Sequence, residues 1–64
     1  MSDDRELRTA ERVRSVCIEA ARAGYQDAAI AGLCAEGALE AALGAIDRLD
    51  LRSVLTDALH DDAR

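Results

Sequence analysis

Gly24-Tyr25-Gln26-Asp27-Ala28-Ala29-Ile30-Ala31-Gly32-Leu33-Cys34-Ala35-Glu36-Gly37 is the stretch whose reading decides the fold. It holds three of the four glycines, the only tyrosine and one of the two cysteines. An amphipathic, charge-rich segment precedes it, and a second apolar-periodic segment follows. Much of the stretch continues the helical pattern on either side. It therefore reads as the tip of a helical hairpin, with the turn confined to a few residues around Ala29 to Ala31.

Upstream of the tip, Ala10, Val13, Cys17, Ala20 and Gly24 recur at spacings of 3, 4, 3 and 4, one seam of a heptad. Val16 and Ala21 widen it into a stripe. A second apolar row runs through Ile18, Ala21, Tyr25 and Ala28. Ser2, Asp3 and Asp4 supply N-cap candidates and place acids at the positive end of the helix dipole. The pattern predicts a first helix over about residues 4–29, ~37 Å long at 1.5 Å per residue, with no proline or evident C-cap to fix its end. Asp4–Arg8, Glu11–Arg14 and Glu19–Arg22 stand at helical pair spacings. Arg5, Arg8 and Arg12 line one edge, either as a solvated face or as a guanidinium stripe that grips an acidic partner.

Downstream, a second helix is expected over about residues 32–48. Ala35, Leu39, Ala42, Ile46 and Leu49 form its seam, and Leu43 widens it. Gly37 and Gly44 lie seven apart. Glycine in a helix interior costs up to ~1 kcal/mol relative to alanine, so the pair suggests a close helix–helix approach. Asp50 is a strong N-cap, and Leu49 and Val54 stand at hydrophobic-staple positions. A third helix is predicted over about residues 51–60, followed by a fraying tail over 61–64.

Sixty-four residues make one small domain. Of the 32 apolar residues, 14 are alanine, and Phe, Trp and Pro are absent. Alanine, leucine, glutamate and arginine favour helix, so the fold class is all-α: an antiparallel helical hairpin plus a short third helix. Alanine buries little surface, and small scaffolds with thin cores need a staple or a partner. The expectation is a homodimeric bundle that covers the second apolar row of the first helix.

Eight arginines, no lysine and thirteen acids give a net charge of −5. That argues against nucleic acid, whose affinity comes from clustered basic residues, and against an anionic membrane surface. No apolar run suffices to span a bilayer, and the acidic start MSDDRELR is the opposite of a signal peptide. A cytoplasmic setting with free thiols is expected.

The chemistry-bearing residues gather at the tip. With the chain turning near Ile30, Cys17 falls about 13 Å from Cys34, beyond the reach of about 7 Å that a disulfide allows. Cys17 reads as a small core hydrophobe. Cys34 reads as a buried, inert thiol or as a thiolate activated at a helix N-terminus, with Glu36 and Glu40 opposing activation. Tyr25, Asp27, Cys34, Glu36 and Glu40 form the candidate ligand or partner site. One histidine and no paired metal-ligand spacing call for no metal. No phosphate loop or internal histidine calls for a cofactor or a catalytic set.

The segments Tyr25-Gln26-Asp27-Ala28, Gly32-Leu33-Cys34-Ala35-Glu36-Gly37 and Leu49-Asp50-Leu51 resemble a group of short bacterial all-helical proteins with a Tyr-x-Asp-Ala, a Gly-Leu-Cys-x-x-Gly and a final Leu-Asp-Leu segment. The resemblance covers roughly residues 10 to 52. Members are often labelled acetyltransferase. It implies a small helical fold, draws attention to Tyr25, Asp27, Gly32, Cys34, Glu36 and Gly37, and raises a contribution to an acyltransferase as a subunit. The residues themselves favour a non-catalytic accessory or regulatory protein that self-associates and binds a protein partner. A thiol-based redox or small-ligand role centred on Cys34 is the alternative.

Overall fold

The computed structural model describes residues 2–62, with side chains described for residues 4–59. Three helices follow in order: α1 (Ser2–Ile30), α2 (Ala35–Asp47) and α3 (Leu51–Asp62). No strand occurs among the described residues. The N-cap expected near Ser2 and Asp3 falls on side chains outside that description. Helix α1 has 29 residues and extends about 43 Å. It packs against α2 along its C-terminal half and against α3 along its N-terminal half, so the chain forms two compact units. None of these helices is long and apolar enough to cross a membrane.

The first unit joins α1 up to Val16 with the segment from Asp50 onward. Asp50 caps α3 as its position suggests. Its Oδ1 accepts a hydrogen bond of 3.2 Å from the Ser53 amide, and its carbonyl accepts one of 3.1 Å from Val54. Val54 is buried, while Val13, Val16 and Ala58 are half-buried. The hydroxyls of Thr9 and Thr56 donate back to the Arg5 and Arg52 carbonyls at 3.1 and 2.9 Å, the usual way a mid-helix threonine satisfies itself.

The second unit, Cys17–Leu49, is the antiparallel hairpin. Its turn differs from the sequence expectation for a local reason. Helix α1 ends in a Schellman motif: the Gly32 amide bonds the Ala29 carbonyl and the Leu33 amide bonds the Ala28 carbonyl, both at 3.0 Å. That motif needs a left-handed residue after the helix, and Gly32 has φ +96. Gly32 therefore stops α1 and does not start α2. The second helix begins three residues later than expected, at Ala35, with Cys34 as its N-cap.

The contact face of α1 follows the expected seam from Val13 through Cys17, Ala20 and Gly24, all half-buried, to the buried Ala28; Ala10 is exposed. The contact face of α2 follows expectation only in part: of the expected seam Ala42 is buried and Ile46 and Leu49 are half-buried, but Ala35 and Leu39 are exposed. Ala38 and Ala42 are buried, whereas Leu39 and Leu43 are 53% and 58% exposed. The packed row is the alanine row, one position away from the leucines. Gly24 explains the choice. A Cβ built on it would lie 3.0 Å from the Ala41 carbonyl oxygen, 3.0 Å from the Ala45 Cβ and 3.3 Å from the Ala42 Cα. Backbones this close leave no room for leucine between them. The close approach expected at Gly37 and Gly44 therefore lies at Gly24. The atoms nearest a Cβ at Gly37 belong to Leu33, and those nearest one at Gly44 to the Arg48 guanidinium.

Candidate functional site at the hairpin tip and groove

Cys34 stands where the Schellman turn hands the chain to α2. Its backbone is extended, with φ −72 and ψ 171, and its thiol makes no capping hydrogen bond. The Ala38 amide bonds its carbonyl at 2.8 Å, closing the first turn. The side chain is exposed, which overturns the expectation that this thiol is buried. The backbone N–H of Gly37, and after it that of Glu36, face the sulfur and hold its pKa below the ordinary thiol value. The amides at a helix N-terminus favour the thiolate. Glu36 and Glu40, expected to oppose this, are both exposed to water, and the thiol pKa is lowered in their presence. Cys17 is a half-buried free thiol on the packed seam of α1.

The other expected site residues do not converge on Cys34. Tyr25, Asp27, Glu36 and Glu40 are exposed, and no hydrogen bond or ion pair joins any of them to another among the described residues. Tyr25 instead lies in a groove of about 520 Å³ with Ile18, Ala21, Arg22, Gln26 and Ala42. The second apolar row of α1 thus remains open at Ile18 and Tyr25, while Ala28 at its end is taken into the hairpin. No group of three His, Cys, Asp or Glu side chains is placed to hold a metal ion among the described residues. Arg5, Arg8 and Arg12 are all exposed on α1.

The groove extends onto α2. At about 100° per residue, Leu39 and Leu43 lie roughly 60° and 100° around α2 from Ala42. Ile18 and Tyr25 are offset by similar angles, in the same sense, from the packed Ala28 of α1. In an antiparallel pair equal offsets point to the same side, so the four large side chains share one open face floored by Ala21 and Ala42. Sequence reasoning found the α1 half of this face and assigned the α2 half to the interior. The signal that could have corrected it is the run Ala41-Ala42 with Ala38 and Ala45, a small-residue row opposite Gly24.

No family model matches the chain, and no similar curated protein or solved structure was found.

Proposed function

We propose that this chain is a non-catalytic helical protein that acts through protein–protein interaction, beginning with its own self-association, in an accessory or regulatory role. One observation carries the proposal. Among the described residues the buried apolar ones are Ala28, Ala38, Ala42 and Val54, while ten larger apolar side chains, from Leu7 to Leu59, are exposed. Burial contributes roughly 25 cal/mol per Å² of apolar surface, so three alanines and a valine make a weak core. Scattered exposed leucines are ordinary, but contiguous open apolar faces mark association surfaces. The exposed arginines of α1, Arg5, Arg8 and Arg12, offer a second surface suited to an acidic protein partner. Light scattering on the purified protein at micromolar concentration is expected to give at least twice the 6.8 kDa chain mass. A helical, cooperatively melting species of monomer mass would sink the reading.

Cys34 favours a second reading, a thiol-based redox or small-ligand role, because the helix amides stabilise its thiolate. Its folded pKa lies below the unfolded one. The thiolate-linked stability is therefore present above the unfolded thiol pKa and is lost as pH falls through the folded pKa. Iodoacetamide should label Cys34 faster in the native protein than in denaturant, with the advantage largest near neutral pH and vanishing well above the ordinary thiol pKa. Equal native and denatured rates near pH 7, followed by mass spectrometry, would remove this second reading.

A further inference from the structure

We infer that the open face of the hairpin is covered by the same face of a second copy, with α1 of each copy lying over α2 of the other to make an antiparallel four-helix bundle. This inference rests on the self-association proposed above and specifies which surface, and which orientation, performs it.

The first support is area. A compact monomer of 6.8 kDa exposes about 3,950 Å². This chain exposes 5138 Å². The excess of about 1,200 Å² is more than the roughly 800 Å² that each partner buries in a standard interface. Ile18, Tyr25, Leu39 and Leu43 are 52%, 42%, 53% and 58% exposed and all belong to one compact unit, Cys17–Leu49. Tyrosine near the centre of such a face is a favoured anchor.

The second support is charge. The α1 edge of the groove carries Arg22. The α2 edge, further around the helix from Leu43, carries Glu36, Asp47 and Glu40, all exposed. Asp47 is the last residue of α2, and no basic residue occupies that last turn. An acid there is opposed by the helix dipole and gains from an external cation. Neither Arg22 nor Asp47 makes a hydrogen bond or ion pair among the described residues.

Two face-to-face arrangements close with two-fold symmetry. A two-fold axis across the helices would set α2 against α2 and bring each acidic edge onto its own copy. A two-fold axis along the helices sets α1 against α2 of the other copy, with every neighbouring helix antiparallel as in an ordinary bundle. Gly24 abuts Ala41, Ala42 and Ala45, so Arg22 lies level with about position 45, within one helical turn of Asp47. The second arrangement therefore brings Arg22 beside the partner's Asp47, twice per dimer. Charge and register select it.

The test is the dimer dissociation constant, from sedimentation equilibrium of the full chain, for Arg22→Asp, Asp47→Arg and the double reversal. Both side chains are exposed, so helicity by circular dichroism should be preserved. Each single reversal is expected to weaken the dimer about tenfold, since two rim pairs are broken at once, and the double reversal is expected to restore most of it. Ile18→Glu should weaken the dimer at least a hundredfold, with Ile30→Glu, on the opposite side of α1, as the unaffected control. A dimer indifferent to Ile18→Glu overturns the face while leaving self-association intact. A dimer sensitive to Ile18→Glu but not to the reversals overturns the orientation. A wild-type monomer overturns both this inference and the proposed self-association, and assigns the face to a different occupant.

Discussion

The two sides of α2 have opposite fates. On one, Ala38 and Ala42 are 1% and 6% exposed, pressed against α1 where Gly24 lets the backbones meet. On the other, a third of a turn or less away, Leu39 and Leu43 stand more than half in solvent. Hydrophobicity alone would rank these sides the other way, since a leucine side chain buries far more surface than an alanine. The contact inside the chain is chosen by how closely two backbones can approach, and the more apolar side is left for something else. In a small chain that division separates what holds the hairpin from what the hairpin presents.

The largest expected effect breaks the packed side. Gly24→Val places branched methyls against the Ala41 carbonyl and the Ala42 Cα, backbone atoms that cannot swing aside. Overpacking costs about 1–3 kcal/mol, and the better helix propensity of valine offsets only a few tenths. A net loss of about 2 kcal/mol should lower Tm by roughly 8–16 °C, measured at one fixed chain concentration because association shifts the melt. An unchanged or raised Tm would mean that the two helices do not approach as described and that the alanine side is not the contact.

That contrast also marks how far the sequence could be read. The α1 seam was legible because its small and medium residues, Val13, Cys17, Ala20 and Gly24, recur with no competing row of larger ones at the same phase. The Asp50 cap was legible because a cap is local: one side chain and the amide three residues on, Ser53, suffice. The seam of α2 was legible only in part: Ala42, Ile46 and Leu49 turn inward as read, but Leu39 does not. Ala38-Ala42-Ala45-Leu49 and Leu39-Ala42-Ile46-Leu49 both satisfy a heptad, and the sequence gives the second the greater apolar weight. Only the distance across to Gly24 distinguishes them, and that distance is a property of the pair of helices. The site suffered similarly. Cys34 was placed near a helix start from its sequence context, but its exposure and the amides aimed at its sulfur depend on Gly32 ending α1, which fixes where α2 begins. Tyr25 was grouped with Cys34 by proximity along the chain, whereas the helical phase turns it to the groove.

A smaller effect sharpens the comparison through the turn that sets the phase of α2. Gly32→Ala forces a residue with a Cβ into φ +96, at about 1–2 kcal/mol. No atom lies within 4 Å of the built Cβ, so the cost is conformational and not steric. The expected Tm loss is roughly 4–16 °C, and Gly32→Asn should lose less than Gly32→Ala, because asparagine enters the left-handed region more readily. Equal losses for the two would point to a steric cause and against the Schellman turn as the device that phases α2.

The smallest expected effect has the opposite sign. Gly44 sits on α2 away from the contact with α1, and the group nearest a Cβ there is the Arg48 guanidinium, 2.9 Å from the built atom. Arg48 is exposed, so its flexible end can move into water at little cost. Alanine is favoured over glycine in a helix interior by up to about 1 kcal/mol, and part of that is spent on moving the arginine. Gly44→Ala should therefore stabilise the fold by about 0.5 kcal/mol and raise Tm by roughly 2–4 °C, again at fixed concentration. The glycine spacing of seven between Gly37 and Gly44 suggests a close approach along that row, and such an approach would make the same substitution destabilising. The sign of the shift at Gly44, set beside the loss at Gly24, therefore decides whether one side of α2 or two are closed by backbone contact.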